Sequence, residues 1–332
     1  MAPARNPLST PFLDAVFNRE DLDRPYLPML QDLPQLPVVF IQGLHRSGTT
    51  FLLNALHGLL PAASTRVCQI VFYRRLLHAH RQGETAEQER LVARYLEHHG
   101  VRDRGIDHVA VGPHSLDEYG FIYERLGVPR TATWLLRELR AKLSYLHPEA
   151  RVLFLKDPVS FGSLVLLRAA IPGARFISVH RDPGKVLDSL FRARLFHLRG
   201  QLRDPYRALL LGRRPGLADR LRAYLMALPF RRSHLATLLA SHLLGQIETY
   251  LRERPSLPED SIIDVSFEHL LEDAPGQLGR LVDFLGVEPV RSLDSVRPAP
   301  RPVPPASPEL RTAAGALRRQ LDRLGYPPAS PG

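Results

Sequence analysis

Three polar clusters hold the residues that could do chemistry here: 43–50, 156–158 and 180–183, each directly behind an apolar run. In the first, Gly43 and Gly48 bracket a loop between Val38-Val39-Phe40-Ile41 and an apolar face at helical spacing (Phe51, Leu52, Leu53, Ala55, Leu56, Leu59, Leu60). Strand, glycine loop and helix together aim backbone N–H groups and a helix N-terminus at a phosphate. The glycine spacing and the Thr50 hydroxyl match a nucleotide-kinase loop. However, Thr49 stands where a kinase needs a lysine for the β- and γ-phosphates. The cation sits inside the loop, at Arg46. This predicts a site for one phosphate with a charged neighbour rather than for a triphosphate; the plain alternative is an ordinary strand-to-helix turn.

The other clusters follow the same logic. Lys156-Asp157-Pro158 follows Arg151-Val152-Leu153-Phe154-Leu155, and His180-Arg181-Asp182-Pro183 follows Arg175-Phe176-Ile177-Ser178-Val179. Arg181 and Ser189 are eight residues apart. With a rise of about 1.5 Å per residue, Ser189 lies about two helical turns past the strand end, so a ligand beside that helix could touch both. Arginine offers a forked, permanently charged donor set, and serine a neutral hydroxyl. The alternative is a surface cation and a helix filler.

The elements that must position these groups alternate strand and helix. Strands are predicted at 38–41, 151–155, 175–179 and 262–265, and helices at 53–60, 66–81, 84–99, 115–126, 131–146, 161–170, 183–194, 266–271, 277–285 and 310–324. Ser115 and Glu118 have the spacing of a capping box, and Thr131 looks like a helix cap. The helix at 84–99 carries a charged face most simply left in water. Pro183 opens a helix, and Gly286 closes one. Residues 192–254 read as an Arg-rich helical insertion, and 297–308 as proline-rich and extended. The pattern predicts an α/β fold: a P-loop-like parallel sheet flanked by helices, with helical insertions. In such sheets ligands bind at the carboxyl ends of strands, so the three clusters should converge.

Composition narrows the class. Apolar residues are 44% and charged residues 23%, as in an ordinary globular domain. Net charge is +10, carried almost wholly by arginine; the lysines are Lys142, Lys156 and Lys185. Such charge suits anionic ligands. Nucleic acid is not expected, because no aromatic–basic stacking pattern accompanies it. Cys68 is the single cysteine, so neither an intramolecular disulfide nor a cysteine metal cluster is available. Residues 1–11 lack the apolar core of a signal peptide, and no apolar run approaches the ~20 residues of a membrane span. These features predict a soluble cytoplasmic protein.

Arg46-Ser47-Gly48-Thr49-Thr50-Phe51-Leu52 resembles the 5′-phosphosulfate loop of sulfotransferases that use 3′-phosphoadenosine-5′-phosphosulfate (PAPS). The segment from Arg175 to Leu190 resembles their 3′-phosphate segment, and Leu155-Lys156-Asp157-Pro158 the Lys-Asp-Pro element of tyrosylprotein sulfotransferases and bacterial relatives. Val265-Ser266-Phe267-Glu268-His269-Leu270 and Phe284-Leu285-Gly286 are similar to two further segments, read as structural, with Phe267 and His269 departing from the usual tyrosine and aspartate. The resemblance implies PAPS as co-substrate, held by Arg46, Ser47, Gly48, Thr49, Thr50, Phe51, Arg181 and Ser189, with no metal. It also implies Lys156 near the bridging oxygen of the leaving group, where negative charge builds. Asp157 is expected to orient Lys156 or cap the next helix.

The acceptor hydroxyl must lose a proton, so a base is needed. Pro158 replaces the histidine of cytosolic relatives. Thr65-Arg66-Val67-Cys68-Gln69 has no acid where tyrosylprotein sulfotransferases place a glutamate. Leu116-Asp117-Glu118-Tyr119 resembles an acidic pair of bacterial members. Glu118 is therefore the first candidate, against its capping-box alternative, with His114 and His45 in reserve. Catalytic Lys156, Glu118 and Arg46 would move a sulfuryl group from PAPS to a hydroxyl of a glycan, lipid or small metabolite. The rival readings are a P-loop nucleotide kinase and a noncatalytic PAPS- or nucleotide-binding protein. The expected organisation is a lead-in at 1–37, a sulfotransferase domain at 38–290, and a proline-rich segment with a C-terminal helix at 291–332, packed on the same domain.

Overall fold

A computed structural model of the protein describes residues 20–101, 111–200, 205–212, 228, 231–298 and 310–326. After a short 3-10 turn (Arg24–Leu30) come β1 (Val38–Gly43), α1 (Thr49–Leu59), β2 (Ala62–Ser64), α2 (Val67–Val71), α3 (Leu76–Gln82) and α4 (Thr85–His98). The middle of the chain adds α5 (Gly120–Leu126), α6 (Thr133–Leu146), β3 (Val152–Lys156), α7 (Leu164–Ala170), β4 (Arg175–His180) and α8 (Pro183–Gly200). Then follow α9 (Pro205–Leu211), α10 (Arg232–Glu253), β5 (Ile262–Ser266), α11 (Phe267–Glu272), α12 (Ala274–Leu285) and α13 (Arg311–Arg323).

The five strands form one sheet in the order β2-β3-β1-β4-β5, and every pair is parallel. β1 is fully buried along its length, which its unbroken apolar run requires. Successive residues face opposite layers. Val38 and Phe40 join Leu153, Leu155 and Phe176 in one core, while Val39 and Ile41 join Phe154, Ile177 and Val265 in the other. Leu52, Leu56 and Leu59 of α1 and Leu278 and Leu281 of α12 cover the second face. The order matters for function. β1 lies between β3 and β4, with Ile41 opposite Lys156 and Gly43 opposite Val179, so the three strand-end clusters emerge side by side. No helix among the described residues is long and apolar enough to cross a membrane.

The four predicted strands are present, and the αL conformation of Gly286 (φ 63°) ends α12 as expected. Several local expectations are corrected. β2 is an additional strand, held by parallel pairing with Val152, Leu153 and Phe154. The helix expected over 66–81 is two helices separated by a 3-10 turn at Tyr73–Arg75. The break follows from Asp23, whose carboxylate accepts the N–H groups of Leu76, Leu77 and His78 and so starts α3 afresh. Thr131 caps nothing: α6 begins at Thr133 and its N-cap residue, Ala132, makes no side-chain bond. α7 starts at Leu164, behind Gly162 at φ 88°. Residues 1–19, 299–309 and much of the insertion, including 213–227, lie outside the described residues.

The Ser115–Glu118 capping box does not form. α5 begins at Gly120, and the Ser115 hydroxyl accepts from Gly112 N–H instead (2.9 Å). The segment is held extended across the sheet end. Val67 N–H donates to Ser115 O (3.0 Å), Asp117 N–H to Thr65 O (3.0 Å) and Tyr119 N–H to Lys156 O (3.2 Å). Three interstrand-type bonds outweigh one local cap, and the Glu118 carboxylate is left for another partner.

Candidate functional site

The loop after β1 is shaped by what surrounds it. A Cβ on Gly43 would lie 2.7 Å from the Val179 carbonyl oxygen, and one on Gly48 would run into the Phe267 ring. Gly48 also has φ 97°, which only glycine adopts readily. Arg46 is the one non-glycine residue with positive φ (77°) among the described residues. Such a backbone persists only where its surroundings hold it. Here Arg181 Nη1 donates to the Arg46 carbonyl oxygen (2.9 Å), and Arg46 Nε donates to Ser189 Oγ (3.1 Å). Arg46, Arg181 and Ser189, far apart in sequence, are thus brought together, with the Arg181 guanidinium 5.0 Å from the Phe267 ring centroid.

The rest of the loop faces the helix start. Gly48 gives α1 no side-chain cap, so the first-turn N–H groups keep their affinity for an anion. Ser47 and Thr49 are buried, and Phe51 meets Phe267 edge-on at 6.3 Å between centroids. Two buried donors, Ser47 Oγ and Arg181 Nε, have no hydrogen-bond partner among the described residues. Uncompensated buried donors are costly, and a phosphorylated ligand would satisfy such groups. Glycines without room for a Cβ, an uncapped helix start, two arginines and hydroxyl donors fit a nucleotide carrying separate phosphates.

Lys156, at the end of β3, reaches the same loop. Its ammonium donates to Thr50 Oγ1 (2.9 Å) and pairs with Glu118 Oε1 (3.1 Å). Burial pushes the Glu118 carboxyl upward, but Lys156, His45 and Arg130 outweigh it and hold Glu118 below the usual range. Its neighbour goes the other way. Burial, then the Glu118 charge, pushes Asp117 up to about 6 against the pull of Lys156 and Tyr206. Asp117 accepts from the Tyr206 hydroxyl of α9 and from Glu118 N–H (2.7 Å). Adjacent carboxyls driven apart in this way are a recurring mark of acid–base sites.

Among the described residues, the Asp157 carboxylate is not paired with the Lys156 ammonium. It pairs with Arg130 and accepts from Ser160 Oγ (2.6 Å) and from Val159 N–H (3.2 Å), capping the 3-10 turn Pro158–Ser160. Gly120 makes room: a Cβ there would be 2.8 Å from both Arg130 Nη2 and Asp157 Cγ. His114 is exposed and lies 3.6 Å from Glu89 of α4, while exposed His45 is close enough to help hold the Glu118 charge. Sequence reasoning read Phe267 as structural only and missed Arg130 and Tyr206. Phe267 directly follows β5, so the strand-end rule that found the other clusters could have found it. Arg130 and Tyr206 carry no local signal; they meet their partners only through the packing of α5, α6 and α9.

The family model described as the sulfotransferase family matches residues 37–291. No curated protein matches the sequence. Among solved structures, the fold is similar to that of sulfotransferase STF9 from Mycobacterium avium (TM-score 0.54, 15% identity, covering 95% of this chain and 76% of that one). It is also similar to sulfotransferase STF1 from Mycobacterium tuberculosis H37Rv (TM-score 0.51, 16% identity, covering 94% and 80%). Those identities speak for the fold alone. The family match covers the whole sheet and each of the three strand-end clusters, and the chain belongs to the sulfotransferase family.

Proposed function

We propose that this sulfotransferase binds PAPS with its 5′ end in the loop after β1 and its 3′-phosphate between Arg181 and Ser189. PAPS supplies an activated sulfuryl group, and the acceptor is a hydroxyl of a glycan, lipid or small metabolite. The observation that carries the reading is the convergence of Arg46, Arg181 and Ser189 through contacts of 2.9 and 3.1 Å. A kinase site has no use for donors at the 3′ position, where ATP has only a hydroxyl.

Each residue has a role that its surroundings support. Arg46, Ser47, Gly48, Thr49 and Thr50 present charge, hydroxyls and backbone N–H groups to the 5′-phosphate, and Phe51 lines the ribose–base side. Lys156, held by Glu118 and Thr50, offsets charge that develops on a leaving phosphate. Glu118 is kept ionised by Lys156 and serves as the proton acceptor for the attacking hydroxyl. A noncatalytic binding protein would not need a carboxylate paired with the strand-end lysine.

The test compares adenosine 3′,5′-bisphosphate with adenosine 5′-monophosphate by calorimetry, in wild type and in the Arg181→Ala, Ser189→Ala double variant. Wild type is expected to prefer the bisphosphate by roughly tenfold or more, about 1.4 kcal/mol. The double variant is expected to lose most of that preference while keeping its weaker monophosphate binding. Equal wild-type affinities would remove the 3′-phosphate site.

A further inference from the structure

We propose that α13 and the tyrosine behind it set the geometry of the 3′-phosphate arm, with Tyr326 and Arg318 as positioning residues for Arg181. The inference rests on the reading of Arg181 and Ser189 given above. It concerns an element beyond residues 37–291, the span that the family model matches. α13 buries Leu317 and Leu321 and packs on α8, the helix that carries Ser189, and on α10. Gly325 (φ 67°) then turns the chain, and Tyr326 is buried at its end.

Tyr326 reaches the residue before Arg181. Its hydroxyl is 2.8 Å from His180 Nδ1, and His180 Nε2 is 2.7 Å from Asp264 Oδ1. Burial pushes the Asp264 carboxyl upward, but His180, Tyr250 and Arg254 outweigh it and hold it low. A carboxylate only accepts, so Nε2 carries a hydrogen toward Asp264, and Nδ1 meets the Tyr326 hydroxyl. Both ring nitrogens are fixed, and the Tyr250 ring closes a further side at 5.2 Å between centroids. Arg181 directly follows His180, the last residue of β4, so an anchored imidazole fixes the backbone from which Arg181 departs.

The residue after Arg181 is met from α13 itself. Arg318 Nη1 lies 3.6 Å from Asp182 Oδ2, while Asp182 Oδ1 accepts from Lys185 N–H (2.8 Å) in the first turn of α8. α13 and the tyrosine behind it therefore contact both neighbours of Arg181, and α13 rests on the helix of Ser189. Neither Tyr326 nor Arg318 is among the groups assigned to the ligand; they act by keeping a charged donor pre-aimed, which spares the ordering cost on binding.

The experiment measures the affinities of the full chain for adenosine 3′,5′-bisphosphate and adenosine 5′-monophosphate in wild type, Tyr326→Phe, Arg318→Ala and the double variant. Tyr326→Phe keeps the packed ring, and Arg318 is largely exposed, so circular dichroism should report folded proteins. The expected result is a bisphosphate preference reduced at least roughly threefold in the double variant, with monophosphate affinity within about twofold of wild type. A purely structural role would lower the melting temperature and leave the ratio alone. An unchanged ratio in the folded double variant overturns the positioning role. Equal affinities in wild type overturn the 3′-phosphate reading and this inference with it, so the wild-type measurement tells the two failures apart.

Discussion

Lys142 and Lys156 each sit against carboxylates inside the protein, yet they are built to opposite ends. Lys142 has three donors and three acceptors: Asp23 Oδ2, Glu138 Oε1 and the Tyr73 carbonyl oxygen, each at 2.9 Å. Its side chain is fully buried, as is that of Asp23. Lys156 has two acceptors among the described residues, Glu118 and Thr50, and stands at the sheet end beside the loop. Burying a lysine is costly, and only a complete set of partners offsets it. A complete set leaves nothing for a ligand. The Lys142 node ties the lead-in, α3 and α6 together and can do no chemistry, whereas the Lys156 node keeps a donor in reserve.

The largest effect should come from breaking the closed node. Lys142→Met leaves the buried Asp23 carboxylate and the half-buried Glu138 without their cation, and urea denaturation is expected to show a loss of about 3–5 kcal/mol. A loss below about 1 kcal/mol would mean that the node is not what holds the lead-in, and the contrast with Lys156 would collapse.

Lys156→Ala should act mainly on turnover. With a working acceptor, kcat is expected to fall about a hundredfold or more, while affinity for adenosine 3′,5′-bisphosphate stays within about threefold. Near-normal turnover would make Lys156 a second structural lysine.

The smallest effect sharpens the electrostatics around Glu118. Asp117, raised to about 6 from 3.8, is a buried charge that disfavours the fold once ionised. The sign follows from linkage: the penalty is absent below about pH 4, grows through about pH 6 and is complete above it. Asp117→Asn keeps an acceptor for Tyr206 and is expected to gain roughly 1–2 kcal/mol over wild type at pH 8, and nothing at pH 4. Thermal melts across that range decide it; a gain that is flat with pH would show that the Asp117 charge is not responsible.

What could be read in the sequence follows from how local each cause is. Unbroken apolar runs in parallel strands announce themselves, and the residues directly behind them found Arg46, Lys156 and Arg181. β2, Ala-Ala-Ser, has neither branched nor large apolar residues and exists only because β3 offers it a ladder. Ser115 and Glu118 have a genuine capping spacing that was overridden by backbone pairing with Thr65, Val67 and Lys156. The buried status of Lys142 had only its i,i+4 partner Glu138 as a local signal, since Asp23 comes from a separate element.

The contact of Phe267 with Gly48 also has a consequence for the order of events during synthesis. The loop after β1 is made early, but its wall arrives only with the residue behind β5, the last strand in the sequence. Contacts between such distant parts of a chain form late. A nascent chain that has completed β1, β3 and β4 but not β5 has the charged residues and lacks the surface against which the loop is moulded. On the nucleotide site proposed above, nucleotide would not rescue half-made chains; it would select those in which the sheet is complete, and by mass action stabilise them alone.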